Sequence, residues 1–464
     1  MLFPTLDFLL FLGVVVAALA AAPNLKTPIL VVASYMFYAR WNWHFCILLA
    51  GSSLLTYAGG RILEVTRTPQ GRARVVTVAV GMHLLLLSFF KYFDFIVDAA
   101  NRTMFALGGT WEVPVMEIVL PVGISFFTFH GISYLIDVSR GDVAVCRRPG
   151  DILLYLSFFP QLVAGPIVRS SFFLPQIAQT APARVAFVEP VLLILGGLFK
   201  KVVIANYLAT DLVDPVFFDP SRYGAADRLL AAYGYAVQIY CDFSAYTDIA
   251  IGLATLLGYR FPLNFNQPYR ARSLQDFWRR WHISLSSWLR DYLYKPLGGN
   301  RGGRWLTMRN LLITMVLGGI WHGAAWKFVA WGALHGLGLI IERTLQPRCG
   351  RLFRGRIGRI LATLMVFHFV CVSWIIFRAD GLDTITAYFA PSSDPQSPQV
   401  TPFTLALLAL GLGLNFIPSD LRERLVRLTG AWPAWSWAVL TGAGIAAIDA
   451  MGPEGVAPFI YFQF

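Results

Sequence analysis

The chain has 464 residues, of which 56% are hydrophobic and 14% charged, and it carries 36 Phe, 18 Tyr and 14 Trp. A soluble domain has about a quarter of its residues charged, so this composition excludes an ordinary soluble protein and describes a polytopic membrane protein. The net charge of +12 would suggest nucleic acid in a soluble chain, but the basic residues crowd particular loops, which points to topology in a lipid bilayer and to no nucleic-acid partner.

Apolar runs long enough to enter a hydrocarbon core of about 30 Å recur in order: Leu9 to Ala22, Ile29 to Tyr38, Phe45 to Ala58, Val75 to Val97, Val115 to Val138, Ile152 to Val168, Val188 to Ala205, Leu229 to Leu257, Leu306 to Ile341, Ile360 to Phe377, Phe403 to Phe416 and Trp435 to Ile448. They predict an all-α membrane protein with no soluble domain between the spans. Met1 to Ala22 lacks a basic n-region and a clear small-residue cleavage site, and reads as a retained first helix. Arginines cluster at Arg61 to Arg74, Arg140 to Arg148, Arg260 to Arg304, Arg343 to Arg359 and Arg422 to Arg427, and the positive-inside rule puts these loops in the cytoplasm. The acidic loops at Asp211, Asp214 and Asp219 and at Asp380, Asp383 and Asp394 then lie outside, with both termini. Cys46, Cys146, Cys241, Cys349 and Cys371 show no CxxC spacing, which implies neither a disulfide framework nor a zinc site.

Two runs do not cross simply. Ile152 to Val168 has arginines on both sides and is broken by Phe159-Pro160 and Gly165-Pro166, which predicts broken helices entering and leaving on one face. Leu306 to Ile341 also has basic loops at both ends, with Gly318-Gly319 and Gly323 near its centre, and predicts a kinkable hairpin with His322 close to the turn. An arm of about 16 residues reaches about 24 Å, which lifts His322 toward the outer half of the membrane.

Between these runs, Leu274, Phe277, Trp278, Trp281, Leu285, Trp288, Leu289 and Tyr292 recur at helical spacing. Arg272, Asp276, Arg279, Arg280, Ser286 and Arg290 take the other side, so one amphipathic interfacial helix is predicted, with His282 on its buried face. Intramembrane ionisable groups are costly and by default mark function. Histidine titrates near neutral pH and can take a proton from a hydroxyl, which makes His282 and His322 the candidate catalytic pair. Trp281 and Trp321, which precede them, and the polar island Asp242, Ser244 and Asp248 are candidates to line a passage or orient a histidine. A satisfied helix-to-helix hydrogen-bond network explains that island equally well. Arg272, Arg279 and Arg280 are candidate contacts for donor phosphates, although topology alone accounts for basic residues there. His130 and His335 read as packing residues beside glycine, and His44, His83 and His368 receive no role. No GxSxG elbow, HxxxxD pair, HExxH helix, Walker A loop or GxGxxG after a strand is present, and no metal site is expected.

The order VGISFFTFHGISYLIDVSRG at 122–141, SFFPQLVAGPIVR at 157–169, YCDFSAYTDIAIGLATLLGY at 240–259, DFWRRWHISLSSWLRDYLY at 276–294 and GGIWHG at 318–323 resembles the membrane-bound O-acyltransferase family. The likeness is strongest to its bacterial alginate O-acetyltransferase branch, spans roughly residues 25–380, and extends to the aromatic ending FIYFQF. The resemblance implies one membrane domain over 1–464, with C-terminal helices at 400–464. It implies a ring of about ten to twelve transmembrane and re-entrant helices around a central funnel and passage, in a bacterial inner membrane. It further implies transfer of an acetyl group from a cytoplasmic thioester, acetyl-CoA, to hydroxyls of an external polysaccharide such as alginate, directly or through a periplasmic acetyltransferase partner. No bound cofactor is implied. His322 matches the family's catalytic histidine, and His282 matches the partner position that is often asparagine in eukaryotic relatives.

The residue chemistry is compatible with that role. A thioester is already activated, so the enzyme must deprotonate a hydroxyl, approximate two substrates and stabilise an oxyanion. His322 is the expected base, and a covalent acyl-histidine is a second route. Three roles stay open for His282: orienting the donor, hydrogen-bonding the oxyanion, or relaying the proton. Other acyl groups and acceptors, D-alanyl or peptidoglycan, fit the same motifs, and a small-solute transporter would also use broken helices with buried polar groups.

Overall fold

The computed structural model describes residues 3, 5–179, 187–350, 353, 355–392, 399–418, 420–430 and 432–453. Asp394 and the ending FIYFQF lie outside the described residues. Among them the structure is helical with no strand. The chain divides into two compact units, Met1–Val185 with Ala254–Phe261, and Ala186–Leu253 with Pro262–Phe464.

The first unit contains α1 (Leu6–Ala21), α2 (Lys26–Ala39), α3 (His44–Val65), α4 (Pro69–Ala106), α5 (Ile124–Arg140), α6 (Pro149–Ser157), α7 (Phe159–Leu162) and α8 (Ser170–Ala178). Thr68 starts α4 by accepting the Gly71 N–H at 3.1 Å, with Pro69 at the first helical position, where its missing N–H costs nothing. Arg72 then donates to the carbonyls of Leu63, Thr66, Val138 and Ser139, which ties the ends of α3 and α5 to α4. The three helices approach closely because Gly131 has no side chain: a Cβ there would lie 2.8 Å from the His83 ring and 2.7 Å from Thr56 Oγ1. His83 is buried between Ser52 and Thr56, as a packing residue would be.

Two expectations are refined in this unit. The run Val115 to Val138 becomes helical only at Ile124, because Pro114 and Pro121 favour extended chain before it and Asp94 of α4 captures the N–H groups of Met116 and Ile118. The run Ile152 to Val168 is broken as expected. Helix α6 stops at Ser157, α7 lasts one turn, and residues 163–169 are non-helical while staying largely buried, as irregular backbone at membrane depth must be.

The second unit contains α9 (Val188–Phe199), α10 (Asn206–Leu208), α11 (Asp214–Phe218), most of α12 (Ala225–Leu256), α13 (Leu274–Arg280), α14 (Ile283–Leu289), α15 (Arg304–His322), α16 (Trp326–Cys349), α17 (Arg356–Arg378), α18 (Leu382–Phe389), α19 (Pro402–Gly413), α20 (Leu421–Thr429) and α21 (Ala434–Met451). Segments of π-helix run over Lys200–Ala205, Ala209–Val213 and Arg290–Tyr294. The expected hairpin is present as α15 and α16, with His322 the last helical residue before the turn. Of the three glycines, Gly323 ends α15 at the turn, and the helix runs unbroken through Gly318-Gly319. These small residues serve close packing instead, since a Cβ at Gly319 would overlap the Phe328 carbonyl and one at Gly332 the Met315 carbonyl.

Among the described residues α3, α4 and α17 are each long and apolar enough to cross a membrane, and α1 with α2 passes the same test as a pair bent by 117°. The 32-residue α12 is continuous and carries the polar residues Asp242, Ser244, Thr247 and Asp248 within its apolar sequence.

Candidate active site

Helix α13 begins at Ser273, whose Oγ accepts the Asp276 N–H at 3.0 Å, while the Glu342 carboxylate of α16 accepts the N–H groups of Leu274 and Gln275. A carboxylate at a helix N-terminus satisfies free donors and complements the helix dipole. The helix ends after seven residues because an extended segment docks on it: Asn266 N–H donates to the Arg280 carbonyl at 2.9 Å and Ile283 N–H to the Asn264 carbonyl at 2.9 Å. The single amphipathic helix read from the sequence is therefore two helices, α13 and α14, with His282 at the break in the left-handed conformation, φ 42° and ψ 56°. Helical periodicity runs through this point, and the tertiary hydrogen bonds override it. The buried face is nonetheless as expected, with Leu274, Phe277, Trp281, Leu285, Trp288 and Leu289 inside.

His282 is 1% exposed. Its Nδ1 lies 3.3 Å from Asn264 Oδ1, its ring stands edge-to-face on Phe243 at 4.7 Å, and its Nε2 is buried without a partner. Burial pushes its pKa well below the ordinary histidine range, so the imidazole is neutral. His322 packs edge-on against Trp331 and Phe377, each at 5.2 Å. The Trp321 ring lies 6.0 Å from that of His282 and 5.0 Å from that of His322, so one indole has both histidines as neighbours.

A cavity of about 460 Å³ follows one stripe of α15, Leu311, Thr314, Met315, Gly318 and His322. Eleven residues of helix correspond to about 16 Å. Arg343 of α16 also lines it. The antiparallel pairing puts that residue far from the turn, because Arg304 at the start of α15 donates to neighbouring Thr344 at 3.3 Å. Exposed Arg279 and Arg290 line the same cavity with Gln275, Trp278 and Trp331. The cavity thus joins three exposed guanidinium groups to a buried imidazole.

Of the candidate donor arginines, only Arg279 lines this space. Arg280 is engaged with Asp276 at 2.8 Å and with the Asn266 carbonyl, so it braces the break before His282. Arg272 is exposed outside the lining. Arg290, paired with Asp291 at 3.0 Å, and Arg343 line the cavity where Arg272 and Arg280 do not, and only the hairpin's antiparallel register brings Arg343 there. Trp281 is not a lining residue either: it is packed among Phe265, Phe277 and Trp374.

The polar island of α12 proves to be paired across helices. Lys200 Nζ donates to Ser244 Oγ at 2.8 Å and to Asp248 Oδ2 at 2.6 Å, and Lys201 Nζ lies 2.7 Å from Asp242 Oδ1. None of these residues lines the cavity. Phe243 lies between them in sequence and touches His282, so the island adjoins the site through packing. The signal for it was two lysines inside one apolar run facing two aspartates inside another, charges that need partners at membrane depth. His335 donates or accepts at Ser373 Oγ, 3.0 Å away, and packs on Trp278 and Trp331 behind the cavity. His130 is buried in the first unit against Tyr155. Among the described residues no cluster of three or more His, Cys, Asp or Glu is placed to hold a metal.

Comparison with known proteins shows the family. The model of the MBOAT, membrane-bound O-acyltransferase family, matches residues 148–378, which include both histidines and the cavity. The chain is 42% identical to a probable alginate O-acetylase AlgI of Azotobacter vinelandii, over 98% of this chain and 97% of the relative. It is 37% identical to a protein of the same description from Pseudomonas putida, over 95% and 94%. It is 36% identical to a peptidoglycan O-acetyltransferase of Helicobacter pylori, over 81% of this chain and 75% of the relative.

Proposed function

Because the chain belongs to the membrane-bound O-acyltransferase family and is a membrane O-acyltransferase, we propose that it carries an acetyl group from cytoplasmic acetyl-CoA across a bacterial inner membrane to hydroxyls of an external polysaccharide of the alginate type, directly or through a periplasmic acetyltransferase partner. The observation that carries this reading is the cavity running from Arg279, Arg290 and Arg343 to His322. Exposed guanidinium groups in this space, with Arg343 far from the hairpin turn, suit the phosphates of coenzyme A, and the imidazole beside the turn suits proton transfer at the thioester. The proposal includes a single membrane domain over residues 1–464, supported by a relative that matches 98% of the chain. It also includes the ring of about ten to twelve transmembrane and re-entrant helices that the family resemblance implies.

In the proposed step His322 takes the proton of the acceptor hydroxyl as its oxygen attacks the thioester carbonyl. The C–O bond forms, the C–S bond breaks, and the proton passes to the departing thiolate. His282, whose ring lies 6.0 Å from that of Trp321, assists. Trp321, which is not among the residues lining the cavity, has both histidine rings as neighbours, while Asp242, Ser244 and Asp248 hold α12 against the segment that carries Lys200 and Lys201.

The test is mass spectrometry of glycans and of the protein after incubation of reconstituted enzyme with labelled acetyl-CoA. Labelled ester on alginate, absent with His322→Asn, is the expected result. Label on peptidoglycan, or transfer only from a D-alanyl donor, would replace the acceptor or the acyl group. Solute flux without acyl transfer would replace the enzyme reading by a transporter.

A further inference from the structure

Asn264 lies in the non-helical segment LNFN, 18 residues before His282, and is 1% exposed. Its side-chain amide meets three groups at once. The Ser284 N–H lies 3.0 Å from Asn264 Oδ1, the Ser284 hydroxyl 2.8 Å, and His282 Nδ1 3.3 Å. A backbone N–H can only donate, so the amide atom facing it has to be the oxygen, and the two-fold ambiguity of an asparagine amide is removed. The 2.8 Å contact is a hydroxyl donating to the same oxygen. A carbonyl-type oxygen cannot donate, and the Ser284 hydroxyl, 3.5 Å from His282 Nδ1, is committed to its shorter contact with Asn264 Oδ1, so Nδ1 carries the hydrogen that points at that oxygen. A neutral imidazole has one N–H. The remaining nitrogen, Nε2, is then a bare acceptor, and it is the atom that the fold buries without a partner.

The backbone supports the same conclusion. His282 is held at φ 42°, a conformation that non-glycine residues adopt at a cost of roughly 1–3 kcal/mol and that persists where the surroundings over-determine it. Asn264 supplies those surroundings at two levels, its backbone carbonyl taking the Ile283 N–H at 2.9 Å and its side chain taking Ser284.

We infer that Asn264 is a positioning residue that locks His282 in the Nδ1–H tautomer and presents Nε2 as a hydrogen-bond acceptor. Of the three roles open to His282, donating to an oxyanion is removed for the neutral ring, because the remaining nitrogen, Nε2, has no hydrogen. Taking a proton or a hydrogen bond remains. This consequence rests on the acyl-transfer reading, whereas the tautomer itself does not.

The experiment is nitrogen NMR of full-length protein in lipid nanodiscs with 15N-labelled histidine, which separates protonated from bare ring nitrogens. The His282 signals are assigned as those missing from His282→Asn. Protonated Nδ1 with bare Nε2 is expected in the wild type; protonated Nε2 with bare Nδ1, or a doubly protonated ring, overturns the inference. Asn264→Leu is expected to release the ring to the other tautomer and to lower kcat at least about tenfold with little change in KM for the donor, as loss of a positioned proton acceptor does. Retention of the Nδ1–H signal with wild-type kcat in that variant overturns the positioning role. If Asn264→Leu fails to fold, the wild-type spectrum alone decides. A wild-type spectrum as expected in a protein that transfers no acyl group leaves the tautomer standing and sinks the proposed function.

Discussion

Replacing Lys201 by methionine keeps most of the side-chain volume and removes the charge. The Lys201 and Asp242 side chains are 11% and 4% exposed, with Nζ and Oδ1 at 2.7 Å. Removing one partner of such a pair leaves a buried carboxylate without its cation, which costs about 3–5 kcal/mol, whereas replacing both partners by apolar residues of similar size is neutral or stabilising. The loss for Lys201→Met is therefore expected to fall in that range, and Lys201→Met/Asp242→Leu to return close to the wild type. An internal control is the exposed pair Arg424 and Asp420, whose side chains are 63% and 44% exposed. There Arg424→Met should cost less than about 1 kcal/mol. Reversible unfolding in mixed micelles, followed by tryptophan fluorescence, measures all three variants against the wild type. A Lys201→Met protein as stable as the wild type, or a double variant no better than the single, would refute the account of the polar island as a compensated clamp.

His322→Asn, which respects the packing of this buried ring on Trp331 and Phe377 better than alanine does, should cut acyl transfer by at least about a hundredfold with nearly normal unfolding; normal turnover would remove His322 as the base. Charge reversal at Arg343 should raise KM for acetyl-CoA while leaving KM for a short thioester without phosphates unchanged, and equal effects on both donors would take the phosphates away from this end of the cavity. Gly332→Val should destabilise the α15–α16 hairpin by roughly 1–3 kcal/mol through overlap with the Met315 carbonyl, read as an earlier unfolding transition. In a background free of native cysteines, single cysteines at Gln70 and Gly350 should resist an impermeant thiol reagent in intact cells, and those at Ser221 and Gly381 should react. The opposite labelling would invert the topology.

The sequence by itself determined the features that depend on local periodicity and on the cost of burying charge. The all-helical membrane class, the broken run at Phe159-Pro160, the hairpin with His322 at its turn and the buried face that includes His282 were legible, because an apolar stripe every three to four residues and a proline in an apolar run carry their meaning within a few positions. Long-range contacts decided the rest. The helix around His282 is cut by hydrogen bonds from Asn264 and Asn266, whose effect on Arg280 and Ile283 no local pattern encodes. Lys200 and Lys201 find Asp248 and Asp242 more than forty residues away. Arg343 reaches the cavity, and Arg280 does not, because of the antiparallel register of α15 against α16 and an ion pair with Asp276. Residue spacing states which groups must be buried, but the fold chooses their partners, because a buried donor or acceptor is satisfied by whichever group tertiary packing brings within hydrogen-bond distance.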